Sequence, residues 1–600
     1  MAKKRRKTEE KTGVLFLLPL FLILAVIPLI VYMEVVYLTD SEIKNWYGGN
    51  TYADFFNFFK SQWFLIFTLS AVVVFGVKLF TKKLVMKRNV FYIAAGIYSV
   101  FVILSTLLSS DETIPSRGYV GRFEGVWVLL CYMLVLFITY NFVNNERQIR
   151  FLLIGVLVSA SIMSIIGVFQ FMGLDIFRTS FGKMLVLPAA YQQNAQDISF
   201  KFDANLIYAT LSNSNYVGSF VALVSPIVFF LFLHLKKPLH KAGMGLLFVL
   251  LIINLIGSRS SAGMVGFAVS ILLTAVLFWR KLFERKWLSL GAVAVLITAV
   301  VIVNAVTQGA LTQRVFSELG VTTSMESRDL AVNDISFDGS TASIVGVNET
   351  FTVKLEDGLL TFLSTEGTGL EAVGDLSKSG EAITFTDTRY RNYSVKLVET
   401  ILNVQRGAQS INFRLAPDSI KLVGISGDET TSIEDAEAWG FEGYEKLGSA
   451  RGYIWSRTLP LLKQTLLVGF GPDTFTLHFP QKDYIGKLNA YDTAQIVVDK
   501  PHNMYLQVGV NTGVISLIAL LVLLGIYIVS SLKLFTGSKE KSIITFAGMG
   551  IFVGIVGYLA AGFFNDSSVG VTPLFWLLLG LGFACNWLVD KGAGSETSNS

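Results

Sequence analysis

Apolar stretches long enough to cross a bilayer recur along this chain, and they restrict what it can fold into. They lie at 14–38, 63–80, 90–108, 126–143, 151–172, 216–233, 242–257, 262–279, 287–306, 504–532, 543–564 and 571–589. About 20 apolar residues span a bilayer as a helix. Within hydrocarbon every backbone amide must find its partner inside its own segment or a closed barrel. The expectation is a mainly α, polytopic membrane protein of about twelve transmembrane helices. The runs 242–257 and 262–279 are the shortest, and residues 258–261 break them. Composition agrees: 52% of residues are hydrophobic and 16% charged, against about 25% charged in soluble proteins.

Basic residues set the expected orientation. Lys3, Lys4, Arg5, Arg6, Lys7 and Lys11 precede the first run. Lys82, Lys83, Lys87 and Arg88 follow the second, and Arg280, Lys281, Arg285 and Lys286 the eighth. All fall on one side. Both termini are expected in the cytoplasm, and 307–502 outside. The net charge of +5 is accounted for by this topology and gives no nucleic-acid signal.

The chain divides into a basic tail (1–13), nine spans (14–306), a connector (307–331), a β-rich domain (332–423), a helical and looped outer region (424–503), three spans (504–589) and a second tail (590–600). The β assignment rests on period-two alternation, as in Phe351-Thr352-Val353-Lys354-Leu355, with Asp338-Gly339 and Asp357-Gly358 as turns. About 90 residues can hold a modest core. The outer loop 173–215 invites short amphipathic or re-entrant pieces.

Few side chains suggest chemistry. Cys131 and Cys585 each sit inside an apolar run, and there are four histidines in all. No metal-ligand spacing occurs, so no metal or other cofactor is expected. His234 and His240 lie among lysines in a cytoplasmic loop; His478 and His502 lie outside. In Pro501-His502-Asn503 a helix should begin within a few residues. A helix N-terminus favours the neutral imidazole, the form a base needs. A capping or interfacial histidine is the plainer reading. Arg259, between two apolar runs in Gly257-Ser258-Arg259-Ser260-Ser261, either marks an anion site or snorkels to headgroups. Arg451 should begin a helix with Trp455 one turn on, as an anion ligand or a surface ion pair. Arg122 and Glu124 are close enough to pair with each other. Gly469-Phe470-Gly471-Pro472 is a tight turn that either cradles an anion or bends the chain. No spacing links the outer carboxylates Asp111, Glu112, Asp175, Asp473 and Asp483.

Taken in order, Ser258-Arg259-Ser260, Arg451-Gly452-x-x-Trp455, Gly469-x-Gly471-Pro472-x-x-Phe475 and Pro501-His502-Asn503-x-Tyr505-Leu506 resemble the O-antigen ligase/polymerase superfamily. Asn213-Ser214-Asn215-Tyr216 is similar to its Asn-Pro-Asn-Tyr-type stretch, with Ser where Pro is common. The resemblance runs from about Arg122 to Phe563. It implies a GT-C-like, metal-independent membrane glycosyltransferase. Such an enzyme moves a glycan from an undecaprenyl-pyrophosphate carrier to an acceptor hydroxyl on the outer face of the bacterial cytoplasmic membrane. By the same resemblance His502 is the base and Arg259, Arg451 and, more weakly, Arg122 hold the pyrophosphate. Asn503, Tyr505, Gly471 and Trp455 support the site. The partners implied are a lipid-linked glycan donor and a glycan, lipid or protein acceptor. The insert 332–423 departs from the common pattern. A polymerase of the same superfamily, a transporter or flippase, and a scaffold working through its β domain are the competing readings.

Overall fold

The computed structural model describes residues 13–597 except 46–48, 199, 201, 280–283, 285–330, 377–379, 426 and 537–541. The expected basic tail, the ninth span and nearly all of the connector lie outside the described residues.

Helices account for most of the membrane part: α1 (Leu18–Ala25), α2 (Phe58–Phe80), α3 (Phe91–Leu107), α4 (Val126–Phe142), α5 (Glu146–Phe171), α6 (Ser214–His234), α7 (Pro238–Gly257) and α8 (Ser261–Leu277). After the β region come α9 (Leu447–Thr458), α10 (Tyr484–Tyr491), α11 (Met504–Asn511), α12 (Val514–Phe535), α13 (Ile543–Ala561) and α14 (Thr572–Thr597). Seven of the described helices are long and apolar enough to cross a membrane: α2, α5, α6, α7, α12, α13 and α14. Four shorter apolar helices lie at Leu18–Leu29, Phe91–Leu107, Val126–Phe142 and Ser261–Leu277.

Two expected spans are corrected. The run 14–38 is not one helix: after α1 a 3₁₀ turn covers Ile27–Leu29, and Glu34–Tyr37 is a strand (β1) paired with Thr51–Asp54 (β2). Pro28 cannot continue an α-helix interior because it has no amide hydrogen and its ring clashes with the preceding turn. The run 504–532 is split into α11 and α12 at Gly513, whose φ is 103°, a conformation glycine takes without a Cβ penalty. The loop 173–215 holds the expected short pieces, among them a helix at Ser180–Val186.

Helix α6 forms the centre of the bundle and is buried along most of its length. Its closest neighbour is α13. A Cβ on Gly554 would lie 2.1 Å from the Leu223 carbonyl oxygen, so only glycine lets these backbones meet. Small residues at such contacts are how membrane helices gain van der Waals packing when lipid offers no hydrophobic drive.

The β region forms two antiparallel meanders. Strands β3 (Val332–Asp338), β4 (Thr341–Gly346), β5 (Thr350–Glu356) and β6 (Leu359–Leu363) make one sheet in sequence order. Strands β7 (Ala372–Val373), β8 (Ala382–Phe385), β9 (Tyr393–Val398), β10 (Ile401–Arg406), β11 (Gln409–Ala416), β12 (Ser419–Val423) and β13 (Glu429–Thr430) make the other. The expected turn at Asp357-Gly358 has both φ angles positive, 49° and 79°, as a tight two-residue hairpin requires. Alternating Phe351, Val353 and Leu355 face a core shared with Val395, Val404 and Phe413. Tyr484 and Leu488 of α10 belong to that same core. Asn489 clasps the start of β3 by accepting from Val332 N and donating to Val332 O, both at 2.9 Å.

Candidate functional site

The site is built from four loops at one end of the bundle. The first is 500–503. Asn503 caps α11: its side chain accepts from Tyr505 N at 2.9 Å and Leu506 N at 3.0 Å. The cap fixes where the helix starts and leaves His502 immediately outside it, with φ 48°. That left-handed backbone costs a non-glycine residue energy and persists only where its surroundings impose it. Trp455 is one of those restraints, since its indole N–H donates to the Pro501 carbonyl at 2.9 Å.

The second loop, 562–571, joins α13 to α14. It is stitched to the first: Met504 N donates to Gly562 O at 2.9 Å, and Tyr505 Oη donates to Leu559 O at 2.9 Å. This brings Asp566 to His502. The imidazole Nδ1 lies 3.1 Å from Asp566 Oδ2; the carboxylate is fully buried and the imidazole 26% exposed. A buried carboxylate would ordinarily be pushed up in pKa. Here His502, Lys500 and Arg122 outweigh burial and hold Asp566 below the usual carboxylate range.

The third loop, 118–125, brings Arg122. Its Nε donates to Asp473 Oδ1 at 2.6 Å, and Glu124 is more distant, with 3.9 Å between Nη2 and Oε2. The expected Arg122–Glu124 pairing is therefore secondary to a partner on a remote segment. The glycine turn explains how Asp473 arrives. Phe470 N and Gly471 N donate to the Val510 and Asn511 carbonyls at the end of α11, at 3.1 and 2.8 Å. Gly471 has φ 124°, and a Cβ there would lie 2.7 Å from Ser109 Oγ. The turn bends the chain and delivers Asp473, which also accepts from Tyr119 N at 2.9 Å. Arg122 Nη1 and Nη2 are buried and meet no hydrogen-bond partner among the described residues. Burial opposes its charge, but Asp473, Asp566 and Glu124 keep the guanidinium firmly protonated.

Arg451 stands behind the second loop. Gly448, Ser449 and Ala450 all have left-handed backbones, with φ of 62°, 58° and 66°, so the regular turns of α9 begin at Arg451 as expected. Its guanidinium donates from Nε to Phe564 O at 3.1 Å and from Nη1 to Gly448 O. Lys500, beside Pro501, lies over the Tyr216 ring at 6.0 Å. Burial would lower its pKa, but Asp499, Tyr216 and Asp566 raise it.

Arg259 occupies the fourth loop, between α7 and α8. It is half exposed and 4.0 Å from Asp203. Its neighbour Ser260 donates to Asn215 O at 3.3 Å, at the end of α6 that also carries Tyr216. Arg259 thus sits at the same end of the bundle as His502, on the rim rather than against Asp566. His478 stands apart, stacked on Phe470 at 3.8 Å between ring centroids, and burial lowers its pKa.

Asp566 and Lys500 escape a reading by motif. The signals that could have found them are an acid in Asn565-Asp566-Ser567-Ser568, a short polar break between the last two apolar runs, and a lysine directly before Pro501-His502.

The molecule is a polytopic membrane protein with a histidine–carboxylate pair ringed by cations at one end of its bundle. Residues 395–521 match the family model described as O-Antigen ligase. The match supports the O-antigen ligase superfamily. It covers Arg451, Gly471 and His502, and leaves Arg122, Arg259 and Asp566 outside. No curated protein and no solved structure matches.

Proposed function

We propose that this protein transfers a glycan from an undecaprenyl-pyrophosphate carrier to an acceptor hydroxyl at the outer face of the bacterial cytoplasmic membrane. The observation that carries the reading is the His502–Asp566 pair at 3.1 Å, set beside the buried Arg122 nitrogens. Asp566 against Nδ1 selects the tautomer with its hydrogen there and leaves Nε2 as the basic nitrogen.

In this reaction the acceptor oxygen attacks the anomeric carbon. The bond from that carbon to the pyrophosphate oxygen breaks, and its electron pair leaves with the pyrophosphate. His502 Nε2 takes the acceptor's proton, and Asp566 stabilises the imidazolium that forms. Negative charge grows on the leaving group in a partly dry site, where fixed cations act more strongly than water. Arg122 and Lys500 supply that charge from within, Arg451 from behind the 562–571 loop and Arg259 from the rim. Asn503, Tyr505, Gly471 and Trp455 hold the backbone that presents His502. No metal is needed in this scheme, since side chains provide the positive charge.

The test is a purified-protein assay with an undecaprenyl-pyrophosphate glycan. His502→Ala should abolish transfer and Arg259→Ala should weaken donor use. A His502→Ala variant that still transfers glycan would remove the base assignment, and alternate access coupled to ions would favour a transporter.

A further inference from the structure

Asp566 touches His502, but little in Asp566 itself holds it there; its neighbours do. Asn565 Nδ2 donates to Ser219 Oγ at 3.0 Å, and Ser567 N donates to Gln507 Oε1 at 3.2 Å. The Ser567 hydroxyl donates to Glu124 Oε2. Glu124 is in turn fixed from two sides. Tyr132 Oη donates to its Oε1 at 2.6 Å, and its own backbone N–H donates to Asp473 Oδ2 at 3.2 Å. Glu124 is buried, with 2% exposure, and lines a small cavity with Gln507 and Ser567.

We propose that Glu124 is a positioning residue: through the Ser567 hydroxyl it sets the 565–568 loop so that the Asp566 carboxylate meets His502 Nδ1. The inference rests on the reading of His502 as the base. The charged groups facing Asp566 are His502, Lys500 and Arg122, and those facing Glu124 are Arg122 and Asp473. The Ser567 hydroxyl has a second, longer hydrogen bond to Gln507 Oε1 at 3.4 Å. Removing Glu124 or that hydroxyl takes away one side-chain contact that holds the loop without touching the reacting groups.

The experiment compares Ser567→Ala, Glu124→Ala, Glu124→Gln and Asp566→Asn in the full-length protein in detergent micelles. The first readout is the ring-nitrogen NMR signature of His502 with labelled histidine at one fixed pH, its signal identified by loss in His502→Ala. Asp566 beside Nδ1 favours a hydrogen on that nitrogen, so Asp566→Asn, which removes the charge, should shift the Nδ1 and Nε2 signals. Ser567→Ala and Glu124→Ala should produce a part of the same shift. Glu124→Gln, whose amide oxygen still accepts from one hydroxyl, should restore most of the wild-type signature. The second readout is glycan transfer. Ser567→Ala should lower kcat by about 3- to 10-fold with donor KM unchanged, as expected for one lost hydrogen bond. It should add nothing in an Asp566→Asn background.

Unchanged His502 ring-nitrogen signals in Ser567→Ala, or an equal kcat loss with and without Asp566, overturn the proposal. If Glu124→Ala does not fold, Ser567→Ala decides it alone, because it removes only one oxygen. The NMR signature needs no turnover, so a protein that never transfers glycan would sink the proposed reaction and leave the positioning claim readable.

Discussion

Trp455 and Pro501 are joined by a 2.9 Å hydrogen bond from indole to carbonyl, and the bond ties the helix that begins at Arg451 to the backbone that presents His502. The same indole ring packs against Phe441, Phe563 and Phe564. Trp455→Phe would keep the packing and lose the bond. It should cost about 1 kcal/mol, roughly fivefold in rate, with donor KM little changed. Steady-state transfer kinetics check this.

The Arg122–Asp473 contact is a buried ion pair, with side chains 8% and 1% exposed. Taking away one partner leaves a buried charge uncompensated, at about 3–5 kcal/mol, whereas replacing both with apolar residues of similar volume is far milder. Asp473→Ala should therefore lower the melting temperature in detergent more than the double variant Arg122→Met, Asp473→Leu. Thermal unfolding of the three proteins decides it.

Glu124 gives a pH dependence with a definite sign. Burial, opposed by Arg122 and reinforced by Asp473, raises its pKa to about 7. A carboxyl raised above its unfolded value contributes stability that is complete below about 4.5 and lost as pH climbs through about 7. Melting temperature should fall over that interval in the wild-type protein and less steeply in Glu124→Gln. An identical slope in both would contradict the assignment.

Arg259 separates binding from folding. Its contact with Asp203 is long and exposed, with side chains 51% and 80% accessible, and such pairs contribute about 0–1 kcal/mol. Arg259→Ala should melt close to wild type while donor KM rises by roughly tenfold or more, as befits one lost charge-assisted contact to phosphate. A large drop in melting temperature with unchanged KM would make Arg259 a structural residue.

Much of this architecture was legible in the chain because hydropathy and alternation are local signals. The apolar runs locate the bundle, and the period-two stretch from 332 to 423 locates the sheets, down to the Asp357-Gly358 turn. Local chemistry also places a helix start just after His502 and Arg451 at the head of a helix. Two apolar runs misled, since hydropathy does not register what Pro28 or Gly513 does to a helix. The polar partnerships were out of reach for another reason. Asp473 meets Arg122, and Asp566 meets His502, only because distant loops converge. Spacing along a chain carries no information about such meetings, and Arg122 beside Glu124 in sequence pointed to the lesser contact.

The clasp between Asn489 and Val332 has a mechanical side. Helix α10 lies in the same continuous stretch of chain as His502 and shares its apolar face with the sheets. Helix α10 thus links the sheets to the segment holding the imidazole by the short tether between Tyr491 and His502.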